Sequence, residues 1–548
     1  MSLRGLLQLL AFYTFILVIG GAAIRQTVSL RPIRGALIAS VYKGGERVGR
    51  RVVASEDPAL VSDLYEGGML AYEQIVAESP VASAWGPAFA LSFVSGKDGV
   101  KVTLGGKTAY VTPDELLLRQ GYDHGLSIDS MSLSVGVDAG LVLALASLEL
   151  GVLPSEVAGR ATFTRIRTER HVPGSLPPSL ATAESLTAND VQRSARQAAL
   201  HLARGVSPEG RFRYLIDAGS NKTLLGYDWP RHAGATYFLV QAAHTTDSAE
   251  VKSAARRALS QLRDHALQRC GDHVCIGDAD AGDFELGSVA LATVAFAEAA
   301  RTGLASDAGT QVRALAETLL SQQRPDGEFM HQLTLEGAGV NVQFLYFSGE
   351  ATLALSRAHL VTGDTRYLAA ASRGLAHLVG PAWHFFGDRY YFGEEHWTCQ
   401  AMGDLWDRAP DRGALDFCER WQAFGRVLQM REGDSSYDSD GAIGVGPVVT
   451  PRLTPVASRC EAGVATLEAL RKDHAPAART APLAAQLRRA MALLVRQQLH
   501  GQYTHLMADP DAVSGAFPGS EVDWQLRIDY AQHAGSAMVR WLEVEGPR

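Results

Sequence analysis

The sequence predicts a multidomain chain: an N-terminal transmembrane helix, a small α+β domain, and an all-α region of six helical hairpins closed into a ring. Three observations predict it. Residues 5–24 carry no charged side chain. Residues 35–171 mix β-branched alternation, Gly-Gly turns and a few helical stretches. From Thr187 onward, apolar residues recur at 3.6-residue spacing, and the connections alternate between short and long. At 548 residues the chain is long enough for two or three compact units.

The first element, residues 1–34, reads as a membrane anchor with its juxtamembrane segment. Leu6, Leu7, Leu9, Leu10, Phe12 and Phe15 to Ile19 make the run apolar. Roughly 20 residues rising ~1.5 Å each cross a bilayer core of ~30 Å. A cleaved signal peptide is the alternative, favoured by the small residues Gly20 to Ala23, but the run exceeds a usual signal core. Arg25, Arg31, Arg34, Lys43, Arg47, Arg50 and Arg51 follow the span and only Arg4 precedes it, which taken alone puts the bulk of the chain in the cytoplasm. A single short span ahead of a large domain also works as an export signal. The expectation adopted is a single-pass inner-membrane protein with its bulk on the periplasmic or extracytoplasmic side.

Residues 36–41 and 48–53 read as strands around a Gly-Gly turn, and residues 58–77 as a helix spaced by Leu60, Leu64, Met69 and Ile75. Strands are expected at 89–95, 100–104, 108–111 and 161–171, and a helix at 139–150. No catalytic motif falls in this domain, which is the expected docking module for an envelope protein partner. Residues 172–186, with three prolines, read as a linker.

In the toroid region, 187–548, helices are expected to begin near Thr187, Pro230, Ala249, Asp283, Asp307, Gly349, Thr365, Gly393, Arg412, Thr454, Pro482 and Asp523. The loops after the even helices are short. Those after the odd ones are long and rich in glycine and aromatics. The segment Gln322-Gln323-Arg324-Pro325-Asp326-Gly327-Glu328-Phe329, with a weaker copy around Gln497-Gln498 and Gly501-Gln502-Tyr503, is similar to the turns of cyclase and prenyltransferase rings. The region resembles the α/α toroid superfamily, which includes six-hairpin glycosidases, sugar epimerases, uronyl-modifying enzymes and terpenoid cyclases. The resemblance implies an (α/α)6 toroid; an open helical solenoid is the competing architecture. It also implies that the even helices line the interior and bring their N-termini to one mouth.

Chemistry is expected at that mouth, where partial positive charge and free N–H groups collect. Polar and aromatic residues cluster at the even helix starts: Tyr227, Asp228, Trp229, Arg231 and His232; Asp278, Asp280, Asp283 and Glu285; Gln343, Tyr346 and Glu350; Tyr390, Tyr391, Glu394, Glu395, His396 and Trp397; Arg459 and Glu461; Asp523, Trp524, Arg527, Asp529, Tyr530 and His533. Each acid has a bland reading as a helix cap. Acids interleaved with aromatics, arginine and histidine fit a sugar site better than capping. Glu394, Glu395, Asp529, His533 and Asp228 are the expected catalytic groups. Tyr227, Trp229, Arg231, His232, Asp283, Glu350, Tyr391, His396, Trp397, Trp524 and Arg527 are the expected substrate-binding groups. Adjacent Glu394 and Glu395 raise one another's pKa toward general-acid use. Asp529 and His533, four apart, share a helical face, so the acid can orient the histidine as a base or both can hold a metal.

The leading expectation is a carbohydrate-active enzyme processing an envelope polysaccharide by hydrolase, lyase or epimerase chemistry, with no cofactor and no metal. Two alternatives are a non-catalytic glycan- or protein-binding toroid and an isoprenoid- or peptide-modifying ring. Asp278-Ala279-Asp280-Ala281 departs from the cyclase acid cluster, and the zinc motifs of lanthionine cyclases are absent. The net charge of −8 excludes a nucleic-acid partner. Five cysteines form no disulfide framework, although Cys270 and Cys275 either close one small loop or stay free.

Overall fold

A computed structural model describes residues 30–546 except 65–66, 82–86, 129–132, 176–180, 279, 381–395, 434–437, 445–448 and 502. The expected anchor run, and the expected site residues Tyr390, Tyr391, Glu394 and Glu395, lie outside the described residues. Among the described residues no single helix is long and apolar enough to cross a membrane.

The α+β unit is an antiparallel sheet of strands β1 (Leu37–Lys43), β2 (Glu46–Val53), β3 (Met69–Val81), β4 (Asp98–Leu104), β5 (Lys107–Val111) and β6 (Thr162–His171), in the order β2-β1-β3-β6-β4-β5. The β1–β2 turn places Gly44 and Gly45 at φ 59° and 77°, as a tight hairpin requires. Gly105 and Gly106 do the same between β4 and β5. Helix α1 (Pro113–Leu118) follows β5. Helix α2 (Ala139–Leu150) starts on the Asp138 side chain and ends at a left-handed Gly151, and α3 (Pro154–Arg160) leads into β6.

Two expectations here fail. Residues 58–77 are not a helix. Asp57 caps a single 3-10 turn, Pro58–Val61, and the chain then enters β3. Pairing of β3 with β1 and β6 buries Leu70, Tyr72 and Ile75, so sheet partners override a spacing that also fits a helix. Residues 89–95 are not a strand. A short helix, Pro87–Ala90, passes into turns, and buried Asp98 accepts the Val94 N–H at 2.8 Å.

Among the described residues twelve longer helices follow, besides short helical turns such as Pro510–Val513. The outer ones are α4 (Ala188–Arg204), α6 (Ala249–Gln261), α8 (Ala308–Gln322), α10 (Thr365–Val379), α12 (Arg412–Val427) and α14 (Ala477–Gln497). The inner ones are α5 (Trp229–Thr245), α7 (Leu286–Thr302), α9 (Phe347–Thr362), α11 (Trp397–Leu405), α13 (Leu453–Lys472) and α15 (Ile528–Glu545). Each inner helix packs on the next, and α15 packs on α5, so the ring is closed and the solenoid is excluded. The even helices of the sequence are the inner ones. They are buried on nearly every side; α7 is buried continuously from Leu286 to Ala299, while the outer helices bury one stripe. Closure depends on Gly535 of α15, where a Cβ would sit 2.0 Å from the Phe238 ring of α5. Helix α14 begins at Ala477, ahead of the expected Pro482, which lies on its exposed side.

The glycine- and glutamine-bearing turns staple neighbouring outer helices. Gly210, Gly327, Gly441 and Gly515 have φ of 95°, 91°, 96° and 85°. Each lies against a backbone carbonyl of the next outer helix: Arg257, Arg373, Arg489 and Gln197. Gln323, Gln429 and Gln498 donate side-chain amides across the same gaps, to the carbonyls of Ala370 (2.8 Å), Gln486 (3.0 Å) and Ser194 (3.0 Å). The last pair joins α14 to α4 and completes the outer ring.

Cys270 and Cys275 form a disulfide across the hairpin of Leu267–Cys270 and His273–Ile276. A second disulfide, Cys399–Cys418, ties α11 to α12 and has no signal in the cysteine spacing. Cys460 is free and buried.

The α+β unit and the ring share a core in which Phe89, Phe93, Leu116 and Val142 pack with Ile216, Leu506, Met507, Trp524 and Leu526. The second half of the expected linker is tied down. Leu186 is buried, and Arg496 donates to the Ala181 carbonyl at 2.7 Å.

Candidate active site

Six residues cap the N-termini of the six inner helices: Asp228, Glu285, Tyr346, His396, Arg452 and Arg527. All six line one cavity of about 480 Å³ at the ring mouth. Capping explains only one of them. Asp228 accepts the Arg231 N–H at 3.0 Å, whereas the other five make no side-chain cap bond. The α+β unit leans on the two segments that lead into this mouth: Thr450, before α13, donates to Asp123 at 3.2 Å, and Trp524, before α15, sits in the shared core.

The floor of the cavity is built on Glu461 of α13, which is 1% exposed. His533 of α15 places Nδ1 2.7 Å from Glu461 Oε2, and His396 places Nε2 3.2 Å from the same oxygen. Ser536 Oγ and, at 3.5 Å, Gln532 Nε2 donate to the other oxygen. Burial alone would raise the Glu461 carboxyl, but the two imidazoles hold it down at about 2. An ionised carboxylate can only accept, so His533 Nδ1 carries a proton and its tautomer is set by Glu461. The three ligand-type atoms lie within 4.8 Å of one another, close enough for these residues to hold a metal ion. Trp397 lies over the pair, its ring 4.2 Å from that of His396 and 5.8 Å from that of His533.

Asp529 is occupied elsewhere. It accepts two hydrogen bonds from Arg527, at 2.6 and 2.8 Å, and Arg231 stands 3.4 Å away. Against the upward pull of burial, these bonds and charges hold its carboxyl below the usual range. The expected Asp529–His533 pairing is therefore replaced by Glu461–His533. Arg452 reaches Asp523 (3.0 Å) and the Tyr530 hydroxyl (3.1 Å), while Arg527 lies over the Tyr530 ring at 4.8 Å. The opposite wall carries Phe344, Tyr346 and Phe347 with Glu285 and Glu350. Glu285 is raised by burial and by the charges of Asp228 and Asp283.

Of the expected site residues, Asp228, Arg231, Glu350, His396, Trp397, Arg527, Asp529 and His533 line the cavity. Tyr227, Trp229, His232, Asp283 and Trp524 do not. His232 is a core histidine, fully buried between the Tyr227 hydroxyl (2.6 Å) and the Ala258 carbonyl (3.2 Å), and burial pushes it down to about 4. Trp229 and Tyr227 pack around it. Trp524 belongs to the core shared with the α+β unit, against Tyr503. Asp283 is exposed and bonds Gln332. Glu461 and Arg452 carry more of the site than their neighbours in sequence suggest.

The other end of the ring holds a second cavity, of about 500 Å³, crossed by ion pairs from Arg357 (2.8 Å) and Arg540 (3.1 Å) to Asp404, and from Arg540 to Glu468 (3.1 Å). Its charges neutralise one another.

No family model and no curated protein matches the chain. Solved structures match over about two thirds of the chain. A D-mannose isomerase is similar at 14% identity and a TM-score of 0.47, covering 64% of this chain and 96% of its own. A cellobiose 2-epimerase from Bacillus thermoamylovorans matches at 10% identity and 0.49, covering 65% and 98%. An unsaturated glucuronyl hydrolase from Streptcoccus agalactiae matches at 12% identity and 0.45, covering 67% and 98%.

Proposed function

We propose that this protein is a membrane-anchored carbohydrate-active enzyme that processes an envelope polysaccharide at the ring mouth. The observation that carries the reading is the Glu461 carboxylate holding two imidazoles in a cavity to which all six inner helices deliver polar or aromatic caps. Aromatic faces beside guanidinium and carboxylate groups suit sugar rings, which present C–H faces and hydroxyl edges. His533, oriented by Glu461, is placed to take or deliver a proton on a bound sugar, with His396 as the second proton carrier. Asp529 is bound by Arg527 and kept ionised, so it serves to fix the arginines and not as a general acid. The proton carriers on His533 and His396 suit epimerase or lyase chemistry, and the raised Glu285 with Glu350 across the cavity leaves hydrolysis by paired carboxylates as the alternative.

Two disulfides support an oxidising compartment, and with it the outer side of the inner membrane. The apolar run at residues 5–24 supports anchoring.

The test is turnover of a panel of envelope polysaccharides, followed by proton NMR in D2O, which reads solvent exchange at sugar carbons, new double bonds and new reducing ends together. Glu461→Gln and His533→Gln are each expected to lower turnover about 100-fold or more with the fold intact. Turnover by both variants at the wild-type rate would take the chemistry away from Glu461 and His533, and absence of turnover by wild type across the panel would defeat the enzymatic reading and leave a ring that only binds glycans.

A further inference from the structure

We propose that the seam between the α+β unit and the ring is a proton-linked clamp on the mouth, which closes as Glu73 takes up a proton and slackens as it loses it. Glu73 of β3 is 1% exposed and lies one side chain behind the seam. Its Oε1 accepts the Asp114 N–H at 3.4 Å, the Thr112 side chain favours its charged form, and its Oε2 has no hydrogen-bond partner among the described residues. Next to it, Asp114 of α1 bonds Arg170 of β6 at 2.5 Å and His505 of the ring at 2.7 Å. His505 crosses the seam beside the Arg170–Tyr503 contact. It lies on the 3-10 turn Thr504–Leu506, which packs against both β1 and β3.

Tyr42 of β1 stacks edge-on against His505 at 5.2 Å, and its buried hydroxyl has no hydrogen-bond partner. Arg50 of β2 is committed to Glu115 at 2.8 Å. Arg170 lies over the Tyr503 ring at 4.5 Å, besides its bond to Asp114. Tyr122 gives its hydroxyl to the Asp98 carbonyl at 2.7 Å. A second carboxylate in this buried seam would have to share Arg170 with Asp114 and Arg50 with Glu115, and like charges so placed do not both ionise. Burial first, and then Asp114, push Glu73 up to about 8.

The sign follows. The folded pKa lies above the ordinary 4.5, so docking takes up a proton between 4.5 and about 8. Docking is strongest below 4.5, weakens about tenfold per pH unit as pH rises through that window, and levels off above it. The segment released is the one that leads through Trp524 to Arg527 and Asp529. The link from clamp to catalysis rests on the proposed function; the clamp itself does not.

The experiment is hydrogen–deuterium exchange on the full chain in detergent, from pH 5 to pH 8.5, corrected for the intrinsic exchange rate. The readout is peptides within residues 503–527, with outer-helix peptides 308–322 as the control. Asp123 and Glu521, raised to about 7 at the same seam, titrate in wild type and variant alike, so the readout is a difference. Wild-type protection is expected to fall more steeply than that of Glu73→Gln, by about one decade per pH unit up to about pH 8. Glu73→Met, which also carries no charge, is expected to behave as Glu73→Gln. Equal slopes in wild type and in whichever variant keeps the control peptides protected would overturn the proposal. This readout needs no turnover, so a failed clamp and a failed enzymatic reading are distinguishable.

Discussion

Glu461 shows how one residue organises the mouth. It is buried, ionised, and shared by His396, His533, Ser536 and Gln532. In the sequence it stands only as one polar residue, beside Arg459, near the start of an even helix, with no role assigned. It sits in an apolar stretch of α13, and its partner His533 is 72 positions away. His533 was legible as a candidate, but reading a helical face pairs it with Asp529, four residues before it. The real partner comes from the neighbouring inner helix, a contact that only ring closure supplies. Asp529 has its own consequence. Asp529→Asn would leave Arg527 and Arg231 partly buried without their shared acid, at a cost of about 2–3 kcal/mol in thermal or denaturant unfolding. Because its carboxyl is held below the ordinary 3.8, its contribution is complete above that value and is lost as pH falls through the lowered folded value. Wild type should therefore lose more stability than the variant on acidification below about pH 4.

At the scale of elements, the long loops were legible as ring turns because their chemistry is restrictive. A glycine at φ near +90° whose Cβ position is already filled by a carbonyl cannot be another residue. Gly441→Ala would bring a Cβ to 2.3 Å from the Arg489 carbonyl oxygen, at φ 96°. It should destabilise the chain by about 2–4 kcal/mol, read as a lowered unfolding midpoint with the slope unchanged. The failures at this scale have a common cause. Residues 58–77 fit a helical spacing, yet β1 and β6 flank them and make a strand. His232 and Trp229 look like site residues because they begin an inner helix, but the helix turns them outward into the core between α5 and α6.

For the whole molecule, twelve helices with alternating loops were enough to predict six hairpins and to say which helices face inward. The mouth followed from that, because six parallel inner helices put six caps at one end. The identity of the partners across the mouth did not follow, since it depends on distances between segments up to hundreds of residues apart. The role of the α+β unit was also hidden. Its contacts with residues 450 and 503–526 make it part of the frame of the mouth and not a separate bead.

The central claim is that a glycan binds at the ring mouth over Glu461. The most direct measurement is a crystal structure of the Glu461→Gln variant soaked with oligosaccharide fragments of the polysaccharide that best protects the wild-type chain against thermal unfolding. The account predicts sugar density in the mouth cavity, with a ring against Trp397 or Phe344 and a hydroxyl edge facing His533 and Arg527. Sugar bound only at the opposite end of the ring or on the α+β unit, with the mouth unchanged, would contradict it.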